Sequence, residues 1–332
     1  MSIPETARAY QLRKDGDAVA AHFTDVPVAA IGGGDLLVRV THSSVNYKDG
    51  LAATGTAPIA RTYPLIGGID AAGVVVEAAG GHAAGDRVVV TGFDLSEKHD
   101  GGYAEYLRVP ASWAVSVPEG LGLWESMVLG TAGVTAALGI HQLERNGLTP
   151  GAGPVAVTGA SGGVGAIAVS MLAGLGYEVT AFTGKQDAHE ALRRYGAATV
   201  AARPDTESVR ALGPATWAGA MDSVGGQTLA WLVSTMQRGA GIASYGNAGG
   251  VQVATTVMPF ILRGVNLLGI NSGWFDDGVR RELWQRMASD LKPAHLDEIG
   301  HTVEFDGLPD VCRAIVTGAV HGRTVVHIAD ES

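Results

Sequence analysis

Cysteine is nearly missing from this chain. Cys312 is the single one in 332 residues, which excludes an internal disulfide and any CxxC zinc site. A reducing cytoplasm is the natural setting for such a composition. The ten histidines offer no HxxxH pair: His295 and His301 stand six apart, as do His321 and His327, so no metal site is expected. Basic charge is in deficit, with 23 Lys and Arg against 33 Asp and Glu, and a formal net charge of −10. No Lys/Arg cluster offsets that balance, so duplex nucleic acid and anionic membrane surfaces are set aside as partners. The start, residues 1–21, is polar, carries Arg8, Arg13, Lys14 and Asp17, and lacks the apolar core of a signal peptide. Longer apolar runs are interrupted by Gly or charge before the roughly 18 residues that a membrane span needs. The chain reads as soluble and cytoplasmic.

Glycine is what the chain has in excess, 48 residues, about twice the usual share of roughly 7 %. No collagen-like period accompanies it, so these glycines belong to tight turns and close backbone approaches. Hydrophobic residues at 46 % and charged residues at 17 % exclude disorder. At about 150 residues per domain the length predicts roughly two domains, enough to bury a large core without staples.

Three zones follow one another. Residues 1–126 show short β-branched runs, Leu36 to Val40, Gly73 to Glu77 and Asp86 to Val90, separated by Gly-rich turns at intervals typical of a compact barrel. Residues 127–274 alternate strands and helices: strand Val155 to Thr158, helix Gly162 to Leu175, strand Tyr177 to Phe182, helix Asp187 to Tyr195, strand Ala197 to Ala201, then strands Ala218 to Asp222 and Ala240 to Tyr245. That rhythm means a parallel sheet wrapped on both faces, an α/β Rossmann-type doubly wound sheet. Residues 275–332 hold two amphipathic helices, Val279 to Leu291 and Gly307 to Thr317. A closing strand, Arg323 to Ile328, suggests a return of the chain to its first domain.

The sharpest motif is Thr158-Gly159-Ala160-Ser161-Gly162-Gly163-Val164-Gly165, with residues 160, 162 and 165 in the spacing G/A-x-G-x-x-G between a strand and a helix. Small residues let the backbone approach a pyrophosphate, and the helix start offers free N–H groups and a positive dipole end. An NAD site wants an acid about 20 residues further on, for the ribose hydroxyls. Here the second strand ends in Phe182-Thr183-Gly184-Lys185. The hydroxyl of Thr183 and the cation of Lys185 suit a 2′-phosphate, which predicts NADPH. Asp187 reads as a helix N-cap. Gly225-Gly226 and Gly246 to Gly250 follow the fourth and fifth strands, where ligands of open α/β sheets lie.

Val45 to Asp49, Pro64 to Gly73, Gly130 to Ala136 and the glycine loop together resemble the medium-chain dehydrogenase/reductase superfamily. Asn46 to Asp49, the loop, Thr256 to Arg263 and Gly322-Arg323-Thr324 are similar to its zinc-free acrylyl-CoA reductase branch, long labelled quinone oxidoreductase. The resemblance implies a discontinuous GroES-like β-barrel domain (1–126 and 275–332), a Rossmann domain (127–274), and NADPH in a cleft between them. It also implies a homodimer made by joining edge strands, with Leu267 to Asn271 as the candidate edge. The implied reaction is reduction of acryloyl-CoA to propanoyl-CoA, with Tyr47 near the nicotinamide and Ser161, Gly162, Gly163 and Val164 under the pyrophosphate. Thr183, Gly184, Lys185 and Arg203 are implied around the 2′-phosphate, with Asn247, Ser272 and Arg323 completing the walls. Two departures stand out: the branch often has Ser-Gly-Arg where Thr183-Gly184-Lys185 stands, and Pro-Gly where Gly67-Gly68 stands.

Ene reduction needs no metal. Negative charge develops on the thioester oxygen, which calls for a hydrogen-bond donor, and the α-carbon needs a proton. Tyr47 is the carried-over side chain able to donate, its other role being packing or a bond to the cofactor amide. Lys48, Arg61 and Arg263 are candidate cations for the phosphates of CoA. A quinone or enal reductase using the same cofactor, and an idle NADPH-binding protein, are the alternatives.

Overall fold

The computed structural model describes residues 3–16 and 18–331; Asp17, one of the charges in the polar start, lies outside the described residues, as do Met1, Ser2 and Ser332. The chain opens with β1 (Thr6–Asp15), β2 (Ala18–Pro27), β3 (Leu36–Val45), α1 (Tyr47–Thr54) and β4 (Leu65–Ile66). Next come β5 (Asp70–Glu77), β6 (Arg87–Thr91), β7 (Tyr106–Val109), β8 (Val115–Ser116) and the long α2 (Leu123–Arg145). The alternating stretch is β9 (Val155–Thr158), α3 (Gly163–Gly174), β10 (Val179–Phe182), α4 (His189–Arg194), β11 (Thr199–Ala201), β12 (Trp217–Asp222) and α5 (Gly226–Thr235). It continues through β13 (Met236–Ser244), α6 (Met258–Arg263) and β14 (Asn266–Gly269). The chain ends with α7 (Asp277–Met287), α8 (Leu296–Ile299), β15 (Gly300–Glu304), α9 (Leu308–Val316) and β16 (Arg323–His327).

Two compact units result. The first holds the residues up to Thr131, Gly273–Trp284 and those from Leu296 on; the second holds Ala132–Ser272 and Gln285–His295. Residues 285–295 thus fall with the second unit rather than with the barrel. Arg286 is bound there by Glu144 of α2 at 2.7 Å, and His295 packs its ring 6.0 Å from that of Tyr195.

The first unit is built of largely antiparallel sheets, with β15 and β16 paired parallel. One runs β15-β16-β3-β5-β6-β8, with β7 also on β3; the other runs β2-β1-β4. The long β1–β2 hairpin, paired from Thr6–Pro27 to Asp15–Ala18, is not legible in the sequence. Val38, Val40, Val75, Val88, Val90 and Leu107 form one buried cluster, and Tyr10, Tyr103, Phe305 and Val326 belong to another. The apolar runs of β3, β5 and β6 have their cause here, since β3 and β6 are buried along most of their length and β5 over its first half.

The second unit is a six-stranded parallel sheet in the order β11-β10-β9-β12-β13-β14. Its central strands β9 and β12 are buried along their whole length, which is why they read as unbroken apolar runs. β14 is the sheet edge.

α2 corrects the expectation that no apolar run is long enough to span a membrane. It is the one helix among the described residues that passes by length and composition, and 83 % of its most apolar stretch is buried inside the protein. Its helical path breaks at Gly130, with φ 48° and ψ −151°. Asp187 is likewise not an N-cap; it sits inside a 3₁₀ turn, Gln186–Ala188, and Ala188 precedes α4.

Candidate functional site

The glycine loop stands where β9 passes into α3. Ala160 N–H donates to the Phe182 carbonyl at 3.0 Å, and Gly162 N–H to the Gly159 carbonyl at 3.0 Å, folding the turn back on the sheet. Gly159 has φ +60°, and a Cβ on Gly165 would meet Ala160 Cα at 2.7 Å, so glycine is required at both. Gly162 is the N-cap of α3 and brings no side-chain cap. The first-turn N–H groups of Gly163, Val164 and Gly165 therefore have no partner within the helix, the arrangement an anion accepts. Buried Asp222 at the end of β12 fixes the neighbouring turn. It accepts from Thr158 Oγ1 at 2.6 Å, from Val224 N–H at 3.2 Å and from Gly225 N–H at 3.0 Å. Burial pushes its carboxyl upward, and those donors oppose the shift.

At the end of β10 Thr183 is buried, and its hydroxyl shares a hydrogen bond with Ser161 Oγ at 2.8 Å and accepts from Lys185 N–H at 3.1 Å. The Arg203 guanidinium lies over Gly184, within 3.2 Å of where a Cβ would be. Burial lowers the Lys185 ammonium from its ordinary value; Asp187 opposes this and the Arg203 charge adds to it. Two cations thus share one corner of the sheet, and Arg203 makes no hydrogen bond or ion pair among the described residues. Such a pair suits a dianion. An open groove follows the carboxyl ends of β13 and β14, lined by Ser244, Tyr245, Gly246, Asn247, Gly269 and Ile270. Ser272 Oγ accepts from Thr135 Oγ1 at 2.7 Å in the same unit.

The first unit holds a buried charged network. Asp70 Oδ2 accepts from Ser44 Oγ at 2.5 Å and Asn46 Nδ2 at 2.7 Å; Oδ1 accepts from Thr131 Oγ1 at 2.6 Å and Thr131 N–H at 3.0 Å. Arg323 Nη2 stands 3.7 Å from Asp70 Oδ2. Its guanidinium donates to Ser44 Oγ, Asn46 Oδ1 and the Val45 and Val128 carbonyls at 2.7–3.1 Å. Asp49 closes a capping box at α1, accepting from Asn46 N–H at 2.9 Å, and also accepts from Ile69 N–H at 3.0 Å. Asn46 is therefore clamped from three sides, and with it the start of α1, where Tyr47 stands 45 % exposed.

Three expected contacts need correction. Arg323 is buried and turns every guanidinium nitrogen onto protein groups, so its side chain organises Asn46 instead of walling a ligand. Arg263 gives its guanidinium to the Ser234, Met236 and Gly213 carbonyls, closing the end of α5. Lys48 is paired with Glu97. Of the three cations offered to a phosphate-bearing substrate, Arg61 alone keeps an exposed side chain without a hydrogen bond or ion pair among the described residues. Asp70, Asp49 and Asp222 were missed as organisers, although the first and third each stand at the end of an apolar strand, where a carboxylate is out of place unless it binds something.

A largely antiparallel β unit joined in one chain to a parallel sheet with a phosphate-type glycine turn defines a dehydrogenase-class oxidoreductase. Residues 32–119 match the alcohol dehydrogenase GroES-like domain and residues 163–289 the zinc-binding dehydrogenase family. The chain is 45 % identical to the putative quinone oxidoreductase YhfP of Bacillus subtilis, over 97 % of this chain and 98 % of that protein. It is 44 % identical to the acrylyl-CoA reductase AcuI of Ruegeria pomeroyi, over 92 % of each. The crystal structure of the yhdH oxidoreductase of Salmonella enterica in complex with NADP superposes with a TM-score of 0.94 at 40 % identity, covering 97 % of this chain and 99 % of that one. The chain belongs to the medium-chain dehydrogenase/reductase superfamily, in the zinc-free branch that holds these relatives. No group of three or more His, Cys, Asp or Glu among the described residues is placed to hold a metal ion. Cys312 is buried, and burial pushes its thiol up to about 12, so the residues present do not fit the zinc in the family's name.

Proposed function

We propose that the protein is an NADPH-dependent, metal-free reductase of an activated carbon–carbon double bond, converting acryloyl-CoA to propanoyl-CoA. The observation that carries the cofactor half is the corner of Thr183, Lys185 and Arg203, cationic and without a carboxylate where an NAD site wants one. The substrate half rests on the 44 % identity to acrylyl-CoA reductase AcuI across 92 % of the chain. NADPH, held by Ser161 to Val164, the 183–185 corner and Arg203, with Asn247 and Ser272 beside them, supplies the hydride. Tyr47 donates its hydroxyl to the thioester oxygen as charge develops there, from a helix start that Asp70, Asp49 and Arg323 hold in place. The 45 % identity to a putative quinone oxidoreductase favours a quinone as the second reading. In this reading the enzyme is a cytoplasmic homodimer.

The test is the loss of NADPH absorbance at 340 nm with acryloyl-CoA, crotonoyl-CoA and benzoquinone in parallel. Turnover of acryloyl-CoA above the other two supports the reading; turnover of the quinone alone replaces it with the second; NADPH binding without any turnover overturns both. Tyr47→Phe lowers kcat by about tenfold or more with NADPH affinity intact, and an unchanged kcat removes Tyr47 from the chemistry.

A further inference from the structure

At the start of α1 stands a carboxyl whose proton has no place in the reaction above. Asp49 Oδ2 accepts from Asn46 N–H at 2.9 Å and from Asn46 Nδ2 at 3.2 Å, and Oδ1 accepts from Ile69 N–H at 3.0 Å. The same Asn46 Nδ2 donates to Asp70 Oδ2 at 2.7 Å, so one amide bridges two buried carboxylates. The titratable groups that face Asp49 are Asp70 of β5, Arg323 of β16, the Tyr103 phenol and the Cys312 thiol of α9. Burial keeps the phenol and the thiol neutral, pushing the first well above its ordinary value and the second up to about 12. Lys48, the neighbour of Asp49 in the helix, turns to Glu97. Two carboxylates therefore share one guanidinium, and the buried cluster carries an excess negative charge whenever both are ionised. Burial, then the Asp70 charge, push the Asp49 carboxyl up to about 7.

A proton on Asp49 has nowhere to point. Its partners are all N–H donors, so an acid O–H finds no acceptor there without displacing one of them. The bond from Asn46 N–H closes the capping box that begins α1, and the bond from Ile69 N–H ties that beginning to the entry of β5. Tyr47 is the first residue of α1, and its hydroxyl makes no hydrogen bond among the described residues. The backbone at Asn46 is thus what aims the Tyr47 side chain.

We propose that Asp49 is a positioning residue: ionised, it sets Tyr47 for donation to the thioester oxygen, and protonated, it lets the start of α1 shift and takes Tyr47 out of line. This deepens the reductase reading above and rests on it. The reaction is gated by a proton on the helix start, separate from the proton that Tyr47 donates, and the gate opens as pH rises through about 7.

Asp49→Asn is the permanently uncharged counterpart, with an amide N–H where the acid would carry its O–H. The ratio of wild-type kcat to Asp49→Asn kcat on acryloyl-CoA, at saturating NADPH, cancels the pH effects that the two proteins share. It is expected near one at about pH 6 and about tenfold at about pH 8, with the KM for NADPH moving less. A ratio that does not change with pH overturns the gate. In a Tyr47→Phe background the same ratio is expected to stay flat with pH, and a ratio that still climbs overturns the positioning of Tyr47 by Asp49. The backbone amide resonances of Asn46 and Ile69 in the wild-type protein test the gate without turnover and without a variant that must fold. Both are expected to shift together with a midpoint of about 7, and resonances that stay in place from about pH 5.5 to 8.5 overturn the gate. No turnover of any substrate by wild type overturns the reductase reading, with the resonances still deciding whether the proton on Asp49 moves the helix start.

Discussion

Lys185 and Arg203 repel each other at the end of β10, and burial already disfavours the Lys185 charge. A phosphate dianion between them reverses both penalties, so reversing one charge selects against it. Lys185→Glu raises the KM for NADPH by about tenfold or more and moves that for NADH far less; steady-state kinetics with the two cofactors check it, and equal shifts would mean that Lys185 reads no phosphate. Asp49 is the second residue whose chemistry can be read from its surroundings. Burial, then the neighbouring Asp70 charge, push its carboxyl up to about 7 from 3.8, against the pull of its N–H donors. Between those values the folded chain holds a proton that the unfolded chain has released, so this group's contribution to stability falls as pH rises from about 4 through 7. His42 acts with the opposite sign: burial and then His327 lower it to about 4 from 6.5, so its contribution falls as pH drops through that window. From pH 6.5 to 8 Asp49 acts without His42. Asp49→Asn is expected to flatten the loss of Tm in that range, although a single amide oxygen cannot accept from both Asn46 N–H and Ile69 N–H, which lowers Tm at every pH. Thermal melts of both proteins across the range decide it, and parallel slopes would remove Asp49 as the titrating group.

Gly130 shows what an element can demand of a single residue. α2 breaks there, and the chain turns so that Thr131 N–H points at Asp70. A Cβ at 130 would stand 2.6 Å from Asp70 Oδ2 and 2.9 Å from Ser44 Oγ, in a backbone conformation open to glycine. Gly130→Ala is expected to cost about 3 kcal/mol, seen as a lower denaturation midpoint with an unchanged slope; a cost below about 1 kcal/mol would mean the helix end relaxes freely. The elements that periodicity reveals are those with one buried face or none exposed, such as β3, β5, β9 and β12. The β1–β2 hairpin escaped because β2 alternates between exposed and half-buried positions with small and polar residues, which gives no apolar stripe. α2 escaped because Gly130 and Gly133 interrupt its apolar run, and the Asp70 bonds to Thr131 that hold the break are tertiary. In the site, the glycine loop and the 183–185 corner are legible because spacing and residue type carry their chemistry. The inward turn of Arg323 and the helix-end role of Arg263 are not, because a side chain's direction depends on the carbonyls that tertiary structure brings to it.

At the scale of the whole molecule the open question is what covers the edge of the parallel sheet. β14 pairs with β13 on one side only, and Leu267 on it is exposed. Val257, Ile261 and Leu262, just before it in and around α6, are exposed as well. An apolar strand edge with free N–H and C=O groups is a liability in a lone subunit, since it can pair with any extended chain. A two-fold axis through β14 resolves this, because the strand then pairs antiparallel with its own copy and the apolar residues around it meet their equivalents. We therefore expect a solution mass twice that of the chain by light scattering. Leu267→Arg places like charges near the axis from both copies and is expected to halve the mass at micromolar concentration, with the monomer's circular dichroism retained. A wild-type protein that is already monomeric would sink the arrangement. A Leu267→Arg protein that stays dimeric would move the interface away from β14 and leave the exposed residues of α6 to another partner.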